Sequence, residues 1–283
     1  MNPALGALLL GATCIALSPI FVRLSEAGPT ATAFWRVALA VPALWVLCSL
    51  KSKPGSRQTP WLLLLAAGVA FAGDLGFWHA SIQLTSVANS TLLANLSSLF
   101  VTLAAWIFLR ERPSRLFLTG LGLALFGVTL LVRSSLQFSA TALAGDALGV
   151  VTAMFYAGYI LAVKGLRDRG ETALRIMAIT STLTAILLLP AALATGEQFF
   201  PATPAGWLVL LGLALVSHAA GQGLIAYALA QLPAAFSSVG LLLQPVVAAL
   251  FAWLLLAEPL VALQVAGGLI VLAGIYLARR GSA

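Results

Sequence analysis

The segment WIFLRERPSRLFLTGLGLALFGVTLL (106–131) returns 147 residues later as WLLLAEPLVALQVAGGLIVLAGIYL (253–277). Each copy ends one apolar run, passes a Glu at a short joint and enters a second, Gly-rich apolar run. Upstream, GDLGFWHASIQ (73–83) aligns with GQGLIAYALAQ (221–231) at an offset of 148. A repeat of this length predicts two related halves, which we place at residues 1–136 and 142–283.

The composition is that of a membrane protein. Hydrophobic residues make up 61% of the 283 residues, charged residues only 8%, and the mean hydropathy is +1.05. A soluble domain has about 25% charged residues, and a helix that crosses a bilayer needs about 20 apolar ones. We therefore predict an all-α polytopic membrane protein with ten transmembrane helices. The predicted spans are residues 4–24, 30–50, 60–83, 87–110, 115–134, 144–165, 172–195, 205–230, 234–257 and 260–280.

The basic residues predict the orientation of these spans. With the N-terminus in the cytoplasm, twelve basic residues fall at cytoplasmic joints and only Arg23 and Arg133 fall outside. The twelve are Lys51, Lys53, Arg57, Arg110, Arg112, Arg115, Lys164, Arg167, Arg169, Arg175, Arg279 and Arg280. Both termini are then cytoplasmic. Arg36 falls within a span, near its outer end, where we expect it to snorkel or to pair with Glu26.

Each half contains five predicted spans, so the second half enters the membrane upside down relative to the first. Inverted repeats of this kind place the substrate site at their interface near the middle of the bilayer, and one half rocks against the other. The two Gly-rich blocks and their Glu joints resemble the two EamA repeats of the drug/metabolite transporter superfamily. That resemblance covers essentially the whole chain. It implies a ten-helix exporter of the bacterial inner membrane, and among its members the chain looks most like exporters of aromatic amino acids.

Polar residues inside the apolar spans are the candidates for the site, because an ionisable group at membrane depth costs roughly 2.5–3.5 kcal/mol. Trp78 and His79 on the third span are predicted to line an outer vestibule, and Gln222 and Tyr227 on the eighth an inner one. The alternatives are an interfacial anchor for Trp78 and helix packing for His79. Further cavity candidates are Asn95, Ser97, Tyr156, Tyr159 and Gln244, although paired tyrosines are also typical of packing.

Asp74 and His218 are candidates for a proton relay. A buried acid can equally remain protonated and form a hydrogen bond between helices, so the sequence leaves both roles open for Asp74. Pro19, Pro42 and Pro245 predict kinks that can act as hinges. Glu111 and Glu258 are interpreted as structural residues that interact with the start of the following helix.

These features favour a secondary transporter that exports small amphipathic metabolites, foremost aromatic or hydrophobic amino acids, by alternating access. Export of cationic drugs or other metabolites is the alternative, and a membrane-embedded enzyme or a structural membrane protein is more distant. No GxxxxGK[ST] or HExxH motif is present. We expect no enzymatic activity, no cofactor, no metal and no nucleic-acid partner. The expected partners are a small-molecule substrate and the lipid bilayer, and the sequence leaves the oligomeric state open.

Overall fold

A computed structural model of the chain describes residues 3–51, 60–85, 87–108, 110, 112–133, 140–257 and 259–282. Glu111 and Glu258 lie outside the described residues. Ten helices in the described part are long and apolar enough to cross a membrane: α1 (Pro3–Leu24), α2 (Pro29–Leu50), α3 (Trp61–Leu84), α4 (Ser90–Phe108), α5 (Arg115–Val132), α6 (Ala142–Asp168), α7 (Ala173–Ala194), α8 (Pro204–Ala228), α9 (Ala234–Leu256) and α10 (Ala262–Gly281). The predicted ten-helix, all-α fold is confirmed.

Three helices are interrupted next to a proline. The α1 helix breaks at Leu17 before Pro19, α2 at Leu39 before Pro42, and α9 at Leu241 and Leu242 before Pro245. Proline lacks the N–H that would bond four residues back, and its ring clashes with that carbonyl. The break therefore falls in the turn that precedes each proline.

The α4 helix breaks without a proline. This span contains the end of one helix, Val87–Ala94, and all of a second, Ser97–Phe108, and the two are separated by Asn95 and Leu96. The Asn95 side chain donates a hydrogen bond to the Thr91 carbonyl at 2.8 Å, and the Ser98 hydroxyl donates to the Asn95 carbonyl at 3.0 Å. Short polar side chains compete in this way with the backbone for its own acceptors, which favours an irregular turn.

The middle of α8 is a π-helix, Leu213–Gln222. Ser217 in this segment donates a hydrogen bond to the Cys14 carbonyl of α1 at 2.9 Å. π-Helical turns are rare, and those inside α-helices are found frequently at functional sites. The segment contains both His218 and Gln222.

Glycines bring α5 and α10 together along their length. A Cβ on Gly120 would lie 2.6 Å from the Gly274 carbonyl oxygen, and one on Gly127 would lie 2.7 Å from that of Gly267. Real Cβ atoms do not approach so closely, so the crossing requires glycine at these positions. Elsewhere α3 packs along α6, and the middle of α8 packs on α1.

Candidate functional site

A cavity of about 140 Å³ lies among α1, α2, α3, α4, α6, α8 and α9. Helices from both predicted halves contribute to it, and the breaks in α1, α4 and α9 lie at its wall. Its lining residues are Ile15, Ala16, Ser18, Pro19, Arg36, Asp74, Leu75, Trp78, Thr91, Ala94, Asn95, Ser97, Thr152, Tyr156, Gln222, Ser238, Leu241, Leu242, Gln244, Pro245 and Ala248. Most of this wall is apolar, and polar groups are inserted at a few points.

Arg36 and Asp74 supply the charges. The two side chains interact electrostatically at the cavity, Arg36 from α2 and Asp74 from α3. Arg36 is only 6% exposed, and its Nε is a buried atom that has no hydrogen-bond partner in the described part of the chain. A buried charge of this kind requires compensation, which Asp74 provides.

The sequence-based interpretation of Arg36 was wrong. Glu26, its expected partner, instead accepts hydrogen bonds from the backbone N–H groups of Ala202 and Thr203 at 2.8 and 2.9 Å. Since α2 begins at Pro29, Arg36 lies two turns inside the helix and is covered by the neighbouring helices. The available signal was its position: an arginine within an apolar span is itself a candidate functional residue.

Tyr156 of α6 is at the centre of the uncharged polar part of the wall. Its hydroxyl interacts with the side-chain amides of Gln222 and Gln244. Within the described residues, the buried Oε1 of Gln222 and the buried hydroxyl of Ser18 have no hydrogen-bond partner. Unpaired buried polar atoms are rare in folded proteins and call for a specific explanation such as a bound molecule.

Several of the candidates from the sequence line the cavity together. They are Asp74, Trp78, Asn95, Ser97, Tyr156, Gln222 and Gln244, with Pro19 and Pro245 beside the helix breaks. Pro42 lies next to a break in α2 but is absent from the cavity lining in the described structure.

Four other candidates lie away from the cavity wall that the described residues form: His79, Tyr159, Tyr227 and His218. His79 is 1% exposed; its Nδ1 lies 2.7 Å from the Leu75 carbonyl oxygen, and its ring packs edge-on against Trp78 at 4.8 Å. The Tyr159 hydroxyl donates to the Met177 sulfur at 3.6 Å behind the wall. Tyr227 is 42% exposed, on the surface of the helix bundle and away from the cavity.

The sequence predicts a pair between His218 and Asp74, and the structure does not contain it. Its Nε2 lies 2.8 Å from the Ser181 hydroxyl of α7, and its ring stacks on Phe71 at 5.3 Å. The direct Asp74–His218 contact required for a two-residue relay is therefore replaced by a Ser181–His218 contact. Among the described residues, no group of three or more His, Cys, Asp and Glu side chains could hold a metal ion.

Two carboxylates cap helices at one end of the bundle, formed by loops 25–28 and 195–203, which we call the capped end. Glu26 accepts from Ala202 and Thr203 at the start of α8. Glu197 accepts from the Thr30 N–H at the start of α2 at 2.9 Å and from Gln83 Nε2 at the end of α3 at 2.8 Å. Negative groups at helix N-termini are stabilising.

These contacts also affect the ionisation of Glu26. The side-chain hydrogen bond from Thr203, followed by the backbone hydrogen bonds from Thr203 and Ala202, lowers the pKa of the Glu26 carboxyl below its ordinary value of 4.5.

An aromatic cluster of Phe34, Trp35, Phe199, Phe200 and Trp207 packs beside the caps. Within it, the Trp35 indole donates to the Phe199 carbonyl at 2.7 Å.

Known proteins similar in sequence to this chain are transporters by name. An uncharacterized transporter of Archaeoglobus fulgidus is 31% identical, over 95% of this chain and 96% of that protein. A probable amino-acid metabolite efflux pump of Salmonella typhimurium is 30% identical, over 78% of this chain and 77% of that protein. The pseudopaline exporter CntI of Pseudomonas aeruginosa is 30% identical, over 97% of this chain and 96% of that protein.

The fold has also been seen before. A solved structure described only as the crystal structure of a protein matches with a TM-score of 0.84 at 15% identity, over 96% of both chains. The EamA-like transporter family matches residues 2–133 and again residues 143–280, which confirms the resemblance found in the sequence. The chain belongs to the EamA-like transporter family, within the drug/metabolite transporter superfamily.

Proposed function

We propose that this protein is a secondary transporter that exports small amphipathic metabolites, foremost aromatic and other hydrophobic amino acids, through the central cavity. One observation carries the proposal: of the seven buried side-chain polar atoms without partners among the described residues, three belong to residues that line the same cavity, namely Ser18 Oγ, Arg36 Nε and Gln222 Oε1. A solute with its own donors and acceptors satisfies such groups, and the apolar remainder of the wall accommodates its hydrocarbon part.

The proposed mechanism is alternating access between two inverted halves, residues 1–136 and 142–283. The packing supports this arrangement, because α3 packs on α6 and its counterpart α8 packs on α1. In the aligned repeats Gly120 corresponds to Gly267 and Gly127 to Gly274. The observed Gly120–Gly274 and Gly127–Gly267 contacts are therefore two copies of one contact, as a two-fold relation between α5 and α10 requires.

The broken helices are the proposed moving parts. Pro19 and Pro245 lie at the cavity wall, so a change at either break alters the site directly. Pro42 is the proposed hinge within α2, away from the wall. The positive-inside distribution of basic residues supports cytoplasmic termini, and we propose the bacterial inner membrane as the location.

The substrate class is supported by one relative that is named as an amino-acid metabolite efflux pump. Export of cationic drugs is disfavoured, because a solute with only a positive charge would compete for Asp74 and leave the buried Arg36 guanidinium of the same cavity uncompensated. Asp74 remains the candidate for proton coupling, acting with Arg36 as its charged neighbour.

Counterflow in proteoliposomes tests the proposal. Vesicles preloaded with unlabelled L-phenylalanine should accumulate the labelled amino acid and saturate with its concentration. Asn95→Ala or Gln244→Ala should weaken the apparent affinity about three- to tenfold, the effect of one lost hydrogen bond.

Thr129→Ala is the matched control, because this exposed threonine of α5 bonds to its own helix at the Leu125 carbonyl. No counterflow of any amino acid tried would overturn the proposed function. Equal affinities for Asn95→Ala, Gln244→Ala and Thr129→Ala would show that the cavity is not the binding site.

A further inference from the structure

Beyond proton coupling, the charged pair at the cavity can take part in recognising the solute. Of the described lining residues, Arg36 and Asp74 are the two that carry formal charge, and they come from different helices, α2 and α3. The net charge of the wall is therefore zero. A solute that binds there without upsetting this balance must itself be neutral overall.

The Arg36 guanidinium is incompletely satisfied. A guanidinium has five N–H donors in a fixed plane, and within the described structure the buried Nε–H donor of Arg36 is unpaired. The ligand that matches this fork best is a carboxylate, which accepts two parallel hydrogen bonds. The Asp74 carboxylate is an acceptor at the same cavity, and its natural ligand is an ammonium group.

We infer that this pair reads both charges of a zwitterionic α-amino acid, with Arg36 binding the carboxylate and Asp74 binding the ammonium group. The inference rests on the proposed function and narrows its substrate class. Binding of the zwitterion replaces one Arg36–Asp74 attraction with two ionic contacts, one from Arg36 to the carboxylate and one from Asp74 to the ammonium group. An amine without a carboxylate leaves Arg36 uncompensated, and an acid without an ammonium group leaves Asp74 uncompensated.

The rest of the wall favours a hydrophobic side chain. Trp78 lies one helical turn after Asp74 on α3 and offers an aromatic surface, and Ile15, Leu75 and Leu241 add apolar contacts. The amides of Gln222 and Gln244 and the Tyr156 hydroxyl lie at the same cavity and can bond to the remaining lone pairs and N–H groups of the zwitterion. Arg36 and Asp74 are thus specificity-determining residues.

Three probes with one hydrocarbon skeleton test this assignment: L-phenylalanine, 2-phenylethylamine, which lacks the carboxylate, and 3-phenylpropionate, which lacks the amine. Counterflow is measured for each in wild-type proteoliposomes. We expect L-phenylalanine to bind about ten- to a hundredfold more tightly than either analogue, the range for a hydrogen bond to a charged group. Equal affinities for all three probes overturn the inference and leave the proposed function standing. If no amino acid is transported, the proposed function itself is overturned, and the inference falls with it.

The variants separate recognition from structure. Arg36→Gln should weaken L-phenylalanine binding about tenfold or more while 2-phenylethylamine is unchanged or improved. Asp74→Asn should also weaken L-phenylalanine binding, while 3-phenylpropionate binding is unchanged or improved. A purely structural pair would instead lower transport of all three probes by the same factor, which contradicts the assignment.

Two further variants keep the test informative if a single charge change impairs folding. Arg36→Lys retains the charge and should keep the order of preference, with a weaker carboxylate contact. Arg36→Gln combined with Asp74→Asn removes both charges and should bind the three probes with similar affinity. Persistence of the wild-type preference in this double variant contradicts the inference. Monodispersity on size-exclusion chromatography, with Thr129→Ala as reference, reports folding in each case.

Discussion

The two ends of the helix bundle are held together in different ways. At the capped end, the bonds of Glu26 to Ala202 and of Glu197 to Thr30 span more than 160 residues of sequence and join the α1–α2 loop and the start of α2 to the α7–α8 loop. At the opposite end, which we call the basic end, the described residues include two ion pairs between residues four apart: Lys164 with Asp168, and Arg175 with Glu171 at 3.1 Å. Among the described residues of this end, the Ser114 hydroxyl also donates to the Gly281 carbonyl at 2.7 Å, and this bond joins α5 to α10.

This difference bears on which contacts must break when the bundle opens. Local pairs such as Lys164–Asp168 move with their own helix and do not resist its displacement. The Glu26 and Glu197 contacts join separate helices, so they are lost if those helices part. The Ser114–Gly281 contact joins two helices that already pack closely through glycines. Opening the capped end, the predicted outer end, therefore costs several hydrogen bonds at once.

The largest expected effect is that of Glu197→Ala. Removing this carboxylate leaves the start of α2 without its acceptor and frees Gln83, so the free energy of unfolding should fall by about 0.5–2 kcal/mol. Asp168→Ala at the basic end is the matched control, with an expected loss of about 0.3–0.5 kcal/mol for an exposed pair four residues apart. Thermal unfolding in detergent measures both. Equal losses would remove the distinction between the two ends.

A smaller effect is expected for the pH dependence of the Glu26 contacts. Because the folded protein holds the pKa of Glu26 below 4.5, its contribution to stability is complete above that pH and is lost as the pH falls through the lowered value. The difference in melting temperature between wild type and Glu26→Gln should be constant from pH 7 to about 5 and should then shrink. A difference that stays constant down to pH 3 would show that the Glu26 charge does not stabilise the capped end.

The apolar runs and the basic joints were sufficient to predict the ten helices, because span length and charge placement are properties of local sequence. The cavity was only partly predictable, and helix geometry explains the errors. Trp78 follows Asp74 by four residues and shares its face, whereas His79 follows by five and points about 140° away. The residues aligned with Asp74 and His79 behave in the same way. Gln222 lines the cavity, and Tyr227, five residues later, is exposed on the surface of the helix bundle.

Arg36 was missed for a different reason. Its depth in the span suggested a side chain that reaches the membrane surface, but the packing of α2 against α3, α7 and α8 covers it. Likewise, the contact between His218 and Ser181 depends on how α7 lies against the π-helical part of α8. Neither arrangement is encoded in residue spacing along one helix, so only the tertiary structure could provide it.

Alternating access requires that one cavity be reached in turn from the two sides of the membrane, and thiol labelling tests this most directly. Ser97→Cys places a nearly isosteric thiol at the cavity, in a background where the native Cys14 and Cys48 are alanine. A membrane-impermeant thiol reagent is applied to right-side-out and to inverted vesicles, with and without L-phenylalanine. We expect labelling from both sides, protection by the substrate, and a shift towards labelling from the capped end when Glu197→Ala is added. Labelling from one side only, unchanged by substrate and by Glu197→Ala, would contradict alternating access through this cavity.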